Sequence, residues 1–195
     1  ILFDLDGTLI DSMPHHHDAW VSWHGQHGLD MDVEGFFSAT AGRSNAEILA
    51  DMFPQAGAAE LDAMAHEKES LYRAIAAREL ALIEGAHAFV QRAREAGLHL
   101  AVCTASTPEN MALAFARFGI DDWVETVVSP ADGLRGKPHP DIFLEAARRL
   151  GIAPEDCIVF EDAPLGIEAA RRAGMRAVAL TTTLPASAFE GFDNV

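Results

Sequence analysis

The chain has no run of about 18 consecutive apolar residues, the length a helix needs to cross a bilayer. Only two cysteines occur in 195 residues, Cys103 and Cys157, both inside apolar runs (LAVCTAS and CIVFED). A disulfide framework needs more, so both read as buried reduced thiols of a cytosolic protein. Positive charge is scarce too. Lys and Arg total 14 against 30 Asp and Glu, a net charge of −16. Such a surface repels polyphosphate backbones and argues against a nucleic-acid partner. It would equally repel a phosphorylated metabolite, so any anion site needs local cations, and the only lysines are Lys68 and Lys137. No basic and apolar leader precedes the opening ILFDLDG, and without an initiator Met a few residues are expected before Ile1. The default expectation is a cytoplasmic monomer with no membrane partner.

What is present is the balance of a globular chain: 49% hydrophobic and 23% charged residues. The length suggests roughly 1.3 domains, one of ordinary size plus a smaller module. Short apolar runs rich in branched residues recur at 1–5, 98–103, 124–128, 157–161 and 177–180. Helical patterns separate the later ones, such as the stripe of Ile142, Phe143, Ala146 and Leu150 stopped by Gly151. This alternation predicts an α/β fold with a Rossmann-like parallel sheet. About ninety residues separate the first run from the second, far more than a crossover needs. Most of that gap reads as helix: Met13, His16, Trp20 and Trp23 share one face, and 46–53, 61–77 and 86–96 follow, punctuated by Gly28, Gly35, Gly42, Pro54 and Gly57. An inserted α-helical module over 13–82 is expected, with 1–12 and 83–195 forming the core.

Chemistry-bearing residues cluster where strands should end. Asp4 and Asp6 close the first run, and alternation points both to one side as the chain leaves the sheet. Ligands of open α/β sheets bind at that edge. Glu161 and Asp162 close the fourth run in the same way. Four carboxylates would make a hard, oxygen-rich site suited to Mg²⁺. Taken singly, the first pair could be solvated turn acids, and Asp162 a helix cap. Thr104, Ala105 and Ser106 end the second run ahead of a Pro108-Glu109 helix start, which suits either phosphate binding or plain capping. Lys137 in Gly136-Lys137-Pro138 is no nucleotide P-loop: Gly133 is misplaced and Pro138 occupies the hydroxyl position. It is either a turn lysine or a point charge for a phosphoryl group.

In order, Asp4-x-Asp6-Gly-Thr, Thr104, Lys137-Pro138 and Glu161-Asp162 resemble the four motifs of the haloacid dehalogenase (HAD) superfamily. FDLDGTLIDS, GKPHPDIF and FEDAPLGIEAARRAGM look like its β-phosphoglucomutase and sugar-phosphate phosphatase branch. The resemblance covers nearly the whole chain, including a helical cap. It implies Asp4 as nucleophile, Asp6 as general acid–base, and Thr104 and Lys137 as holders of the phosphoryl oxygens. It further implies Mg²⁺ on Asp4, the Asp6 carbonyl and Asp162, with Glu161 nearby or bound.

On the cap, His15, His16 and His17 cannot all chelate one ion from a helix. His16 reads either as a partly buried ring among aromatics or, by the resemblance, as a hinge histidine. Trp20 and Trp23 read as cap core rather than a sugar platform. The segment Thr40-Ala41-Gly42-Arg43-Ser44-Asn45 would be the substrate loop, and Lys68 matches a cap lysine of the branch. Asn45 stands where the mutases carry an arginine, and Thr107-Pro108 where they carry Lys-Asn, although Arg43 could substitute. The expected activity is therefore a Mg²⁺-dependent phosphatase of a small phosphorylated metabolite, a sugar phosphate, acting through an aspartyl-phosphate. The alternatives are a β-phosphoglucomutase and a non-catalytic phosphometabolite-binding module.

Overall fold

A computed structural model describes residues 1–40 and 43–195; of the expected substrate loop, Ala41 and Gly42 lie outside the described residues. The chain divides into two compact units, one of Ile1–Asp11 with Ala81–Val195, the other Ser12–Leu80. Among the described residues no helix is long and apolar enough to cross a membrane.

The first unit is a parallel sheet flanked by helices. Its strands are β1 (Leu2–Phe3), β2 (Ala101–Cys103), β3 (Thr126–Val128), β4 (Ile158–Glu161) and β5 (Arg176–Ala179), in the spatial order β3-β2-β1-β4-β5. All pair in parallel, with Leu2 opposite both Ala101 and Val159. Side-chain alternation along β1 feeds two different layers. Leu2 and Val159 join a core with Ile142, Phe143 and Ala146 of one helix and Ile167, Ala169 and Ala170 of another. Phe3 and Phe160 meet Phe89, with ring centroids 6.1 and 5.1 Å from it. Strands β1 to β4 are shorter than the apolar runs predict, and β5 keeps its length one residue earlier. Past Phe3 the chain turns sharply, with the Leu9 and Ile10 amides both donating to the Leu5 carbonyl.

The second unit is helical: α1 (Met13–Gln26), α2 (Val33–Thr40), α3 (Asn45–Met52) and α4 (Ala58–Glu79). The remaining helices, α5 (Ala86–Glu95), α6 (Pro108–Phe118), α7 (Asp141–Leu150) and α8 (Pro164–Arg172), belong to the first unit. Trp20, Trp23, Ile48 and Leu49 form the buried centre of the helical unit. Trp23 also donates from Nε1 to Glu67, 3.0 Å away. Ser44 and Glu47 start α3 with a reciprocal capping box. Helix α2 was not among the expected stretches, because Gly35 reads as a break. It falls in the first turn instead, where its N–H is in any case free of an intrahelical partner, and it donates to Asp32 Oδ1 at 3.3 Å.

Candidate active site

Every chemistry-bearing residue of the first unit lies at the carboxyl edge of the sheet. Asp4 follows β1, Thr104 follows β2, and Glu161 ends β4 with Asp162 next in line. Lys137 arrives from the loop before α7. Because β1 is the central strand with β4 beside it, residues more than 130 positions apart converge. The Lys137 Nζ donates to Asp4 Oδ1 and, at 2.6 Å, to Glu161 Oε1. It also lies 5.5 Å from the Phe143 ring centroid, a cation–π distance. The second Glu161 oxygen accepts from the Ala163 amide at 2.8 Å. Glu161 is thus held at both oxygens, and it holds Lys137 in turn.

Carboxylate oxygens of Asp4, Glu161 and Asp162 all lie within 4.8 Å of one another, and all three residues are buried. Three acids and one ammonium leave an excess of negative charge in a desolvated place, which is costly. The titration behaviour follows. Burial raises the Asp4 pKa well above the ordinary carboxylate range; Lys137 opposes the rise, and Glu161, Asp162 and Asp6 add to it. Burial and then Glu161 push Asp162 up to about 7, against a hydrogen bond from Thr183. Burial alone would weaken the Lys137 charge, but Asp4 and Glu161 keep its pKa above the ordinary value.

The donor set fits a small hard cation: carboxylate oxygens only, no sulfur or imidazole, with surplus negative charge. The surrounding backbone is shaped to the carboxylates. A Cβ on Gly7, whose φ is +78°, would collide with an Asp162 oxygen, and one on Gly166 would collide with the Glu161 carboxylate. Asp4, Glu161 and Asp162 are the residues that could hold such a cation.

The other expected residues divide between the units. Asp6 is half-buried and close enough to influence both Asp4 and Asp162 electrostatically. Thr104 is fully buried and its Oγ1 accepts from the Ser106 amide at 2.9 Å, while Ala105 is exposed. Thr107 caps α6 through the Asn110 amide. His16, Lys68 and Arg43 belong to the helical unit. Lys68, 1% exposed, meets His16 Nδ1 at 2.7 Å and donates to Glu69 at 2.9 Å; Asn45 donates to the same Glu69 oxygen. The His16 ring stacks on Tyr72 with centroids 3.8 Å apart. Arg43 pairs with Asp51 at 2.6 Å. Sequence reasoning did not find Thr183, whose hydroxyl donates to Asp162; a threonine after a strand carries no local signal of such a partner.

A parallel α/β unit that gathers buried acids of raised pKa and one lysine at its carboxyl edge has the character of an active site. A family model described as haloacid dehalogenase-like hydrolase matches residues 1–174. The chain belongs to this family. Fructose-1-phosphate phosphatase YqaB of Escherichia coli K12 is 33% identical over 183 residues, covering 91% of this chain and 94% of the relative. Hexitol phosphatase A of the same strain is 34% identical over 192 residues, with 92% and 81% covered. β-Phosphoglucomutase of Bacillus subtilis is 31% identical over 186 residues, with 91% and 81% covered. Among solved structures, a family IA, variant 3 HAD hydrolase from Entamoeba histolytica aligns with a TM-score of 0.90 at 26% identity, covering 99% of this chain and 88% of the other.

Proposed function

We propose that this hydrolase is a Mg²⁺-dependent phosphatase of a small sugar phosphate, acting through an aspartyl-phosphate on Asp4. The observation that carries the reading is the Asp4–Lys137–Glu161 bridge beside Asp162. It keeps a carboxylate nucleophile and a fixed cation at one point in a buried site. A carboxylate oxygen of Asp4 attacks phosphorus, forming an acyl phosphate as the ester P–O bond breaks. Asp6 donates its proton to the departing alkoxide, then takes one from water, whose oxygen attacks phosphorus and releases phosphate and free Asp4. Lys137, the Thr104 hydroxyl and the following loop hold the phosphoryl oxygens as charge spreads over them. Bound Mg²⁺ would supply the positive charge that lets a dianion approach so acidic a site.

Hydrolysis is favoured over mutase chemistry because each cation of the helical unit expected to meet substrate already faces a carboxylate: Arg43 faces Asp51 and Lys68 faces Glu69. Little charge is left to clamp a second phosphate. The names of the two phosphatase relatives support the same reading. Phosphate release from a panel of hexose and hexitol phosphates tests it. Asp4→Asn should lower turnover by several decades (on the order of 10³ or more) while the far-UV spectrum and melting stay cooperative. Wild-type turnover in that variant overturns the covalent mechanism. If β-glucose 1-phosphate is instead isomerised faster than phosphate appears, with a trace of bisphosphate added, the phosphatase reading is wrong.

A further inference from the structure

The loop after β5, Thr181-Thr182-Thr183-Leu184, takes no part in the chemistry just described, yet two of its hydroxyls reach the acid site. Thr183 Oγ1 donates to Asp162 Oδ2. Thr182 Oγ1 donates to the Gly7 carbonyl at 2.5 Å, across 175 positions of sequence. Two contacts fix the loop itself: Leu184 packs against the main core, and the Leu180 amide donates to the Glu161 carbonyl at 2.7 Å. Gly7 is where the chain turns after Asp6, in a left-handed conformation that L side chains avoid, and a Cβ there would strike both Asp162 and Thr183. A single loop therefore grips the carboxylate of Asp162 and the backbone next to the Asp6 carbonyl.

We propose that Thr183 and Thr182 form a hydroxyl clamp that sets the spacing between the Asp162 carboxylate and the Asp6–Gly7 backbone, and thereby the metal affinity of the site. Both are positioning residues; neither touches the reacting atoms. A donor on one Asp162 oxygen limits rotation of the carboxylate. Partners of this kind, one shell out from a metal, usually alter affinity by about 10–100-fold when removed. The proposal rests on Asp162 being a ligand, so the experiment includes a control for that reading.

The full chain is prepared as wild type, Thr183→Val, Thr183→Ser, Thr182→Val and Asp162→Asn. Mg²⁺ affinity is measured by calorimetry without substrate, and Mn²⁺ spectra are recorded as a second readout of ligand geometry. Thr183→Val keeps the shape but loses the donor, and should weaken Mg²⁺ binding by about 10–100-fold. Thr183→Ser restores the donor and should stay within about threefold of wild type; Thr182→Val should fall between the two. At saturating Mg²⁺ the kcat of Thr183→Val should recover most of its wild-type value, which a merely misfolded site would not do. Should Thr183→Val fail to fold, Thr183→Ala serves in its place. Wild-type Mg²⁺ affinity in the donorless variant, with Asp162→Asn binding lost, overturns the clamp alone. Wild-type affinity in Asp162→Asn overturns the assignment of Asp162, and the clamp with it.

Discussion

Each unit buries a lysine, and the two lysines are treated differently. In the helical unit Lys68 and Glu69 pair at 2.9 Å, with Asn45 on the same Glu69 oxygen and His16, stacked on Tyr72, beside the ammonium. In the sheet unit a single ammonium, Lys137, must serve Asp4 and Glu161 while Asp162 lies within the same 4.8 Å cluster. A lysine paired one to one with a carboxylate leaves no surplus charge. A cluster of three acids and one lysine is stable only at the expense of raised carboxylate pKa values, and a divalent cation would relieve it. Burial of charge is therefore no sign of function by itself; the imbalance is what points to a ligand.

The severest break of this contrast removes each lysine in turn. Lys137→Met and Lys68→Met both strand buried carboxylates, at a cost of about 3–5 kcal/mol. At about 2–4 °C per kcal/mol for a chain of this size, the melting temperature should fall by roughly 6–20 °C in each. Their response to magnesium should differ. Saturating Mg²⁺ should return Lys137→Met most of the way toward wild type, since a cation again faces the acids, and should give Lys68→Met no more than the wild type gains. Equal recovery in the two variants would show that the acid cluster is not a cation site.

A milder test uses pH. Asp162 is raised to about 7 from an ordinary value near 3.8, and Asp4 is raised as well. An acid whose folded pKa is raised binds more protons folded than unfolded between those values, so stability falls as pH climbs through that window. In chelator, the melting temperature should drop from about pH 4 to pH 7 beyond the trend of other groups. Asp162→Asn should flatten part of that slope and raise metal-free stability at neutral pH. Because Asp4 and Asp162 titrate together, the slope belongs to the cluster. An unchanged slope in Asp162→Asn would remove Asp162 from the excess charge.

The smallest effect belongs to the solvated pairs, which serve as the reference. Glu145 accepts from Arg148 and Arg149 at 2.7 and 2.8 Å and is held at about 2 by those bonds. A depressed acid contributes stability above its ordinary value near 4.5 and loses it as pH falls toward 2. Because the Arg148 guanidinium lies in solvent, Glu145→Gln should shift melting at neutral pH by about a degree at most, and roughly 0.5 M salt should erase the difference. A larger, salt-resistant loss would mean that surface pairs matter as much as the buried ones.

Much of this was legible locally, and the exceptions are instructive. The strand-like runs lie where β1 to β5 form, although the first four are longer than their strands. The helical gap contains α1, α3 and α4, and the acids Asp4, Glu161 and Asp162 stand at strand ends. Helix α2 was missed because glycine weakens a helix interior but is harmless in a first turn, and pattern alone does not say which turn Gly35 occupies. Arg43, read in the sequence as a substrate-loop residue, pairs with Asp51 eight positions on, a contact that the local pattern does not announce.

By itself the sequence determined the alternation of strand and helix, the long helical insertion, and the order of the acidic and basic motifs. These are properties of neighbours, set by side-chain periodicity, turn chemistry and local charge. Tertiary structure alone decided which groups meet. Lys137 bridges Asp4 and Glu161 because β1 lies between β2 and β4, and Thr183 reaches Asp162 because β5 lies beside β4. Strand order is a global choice made by packing two helical layers against one sheet. No short window of residues carries it.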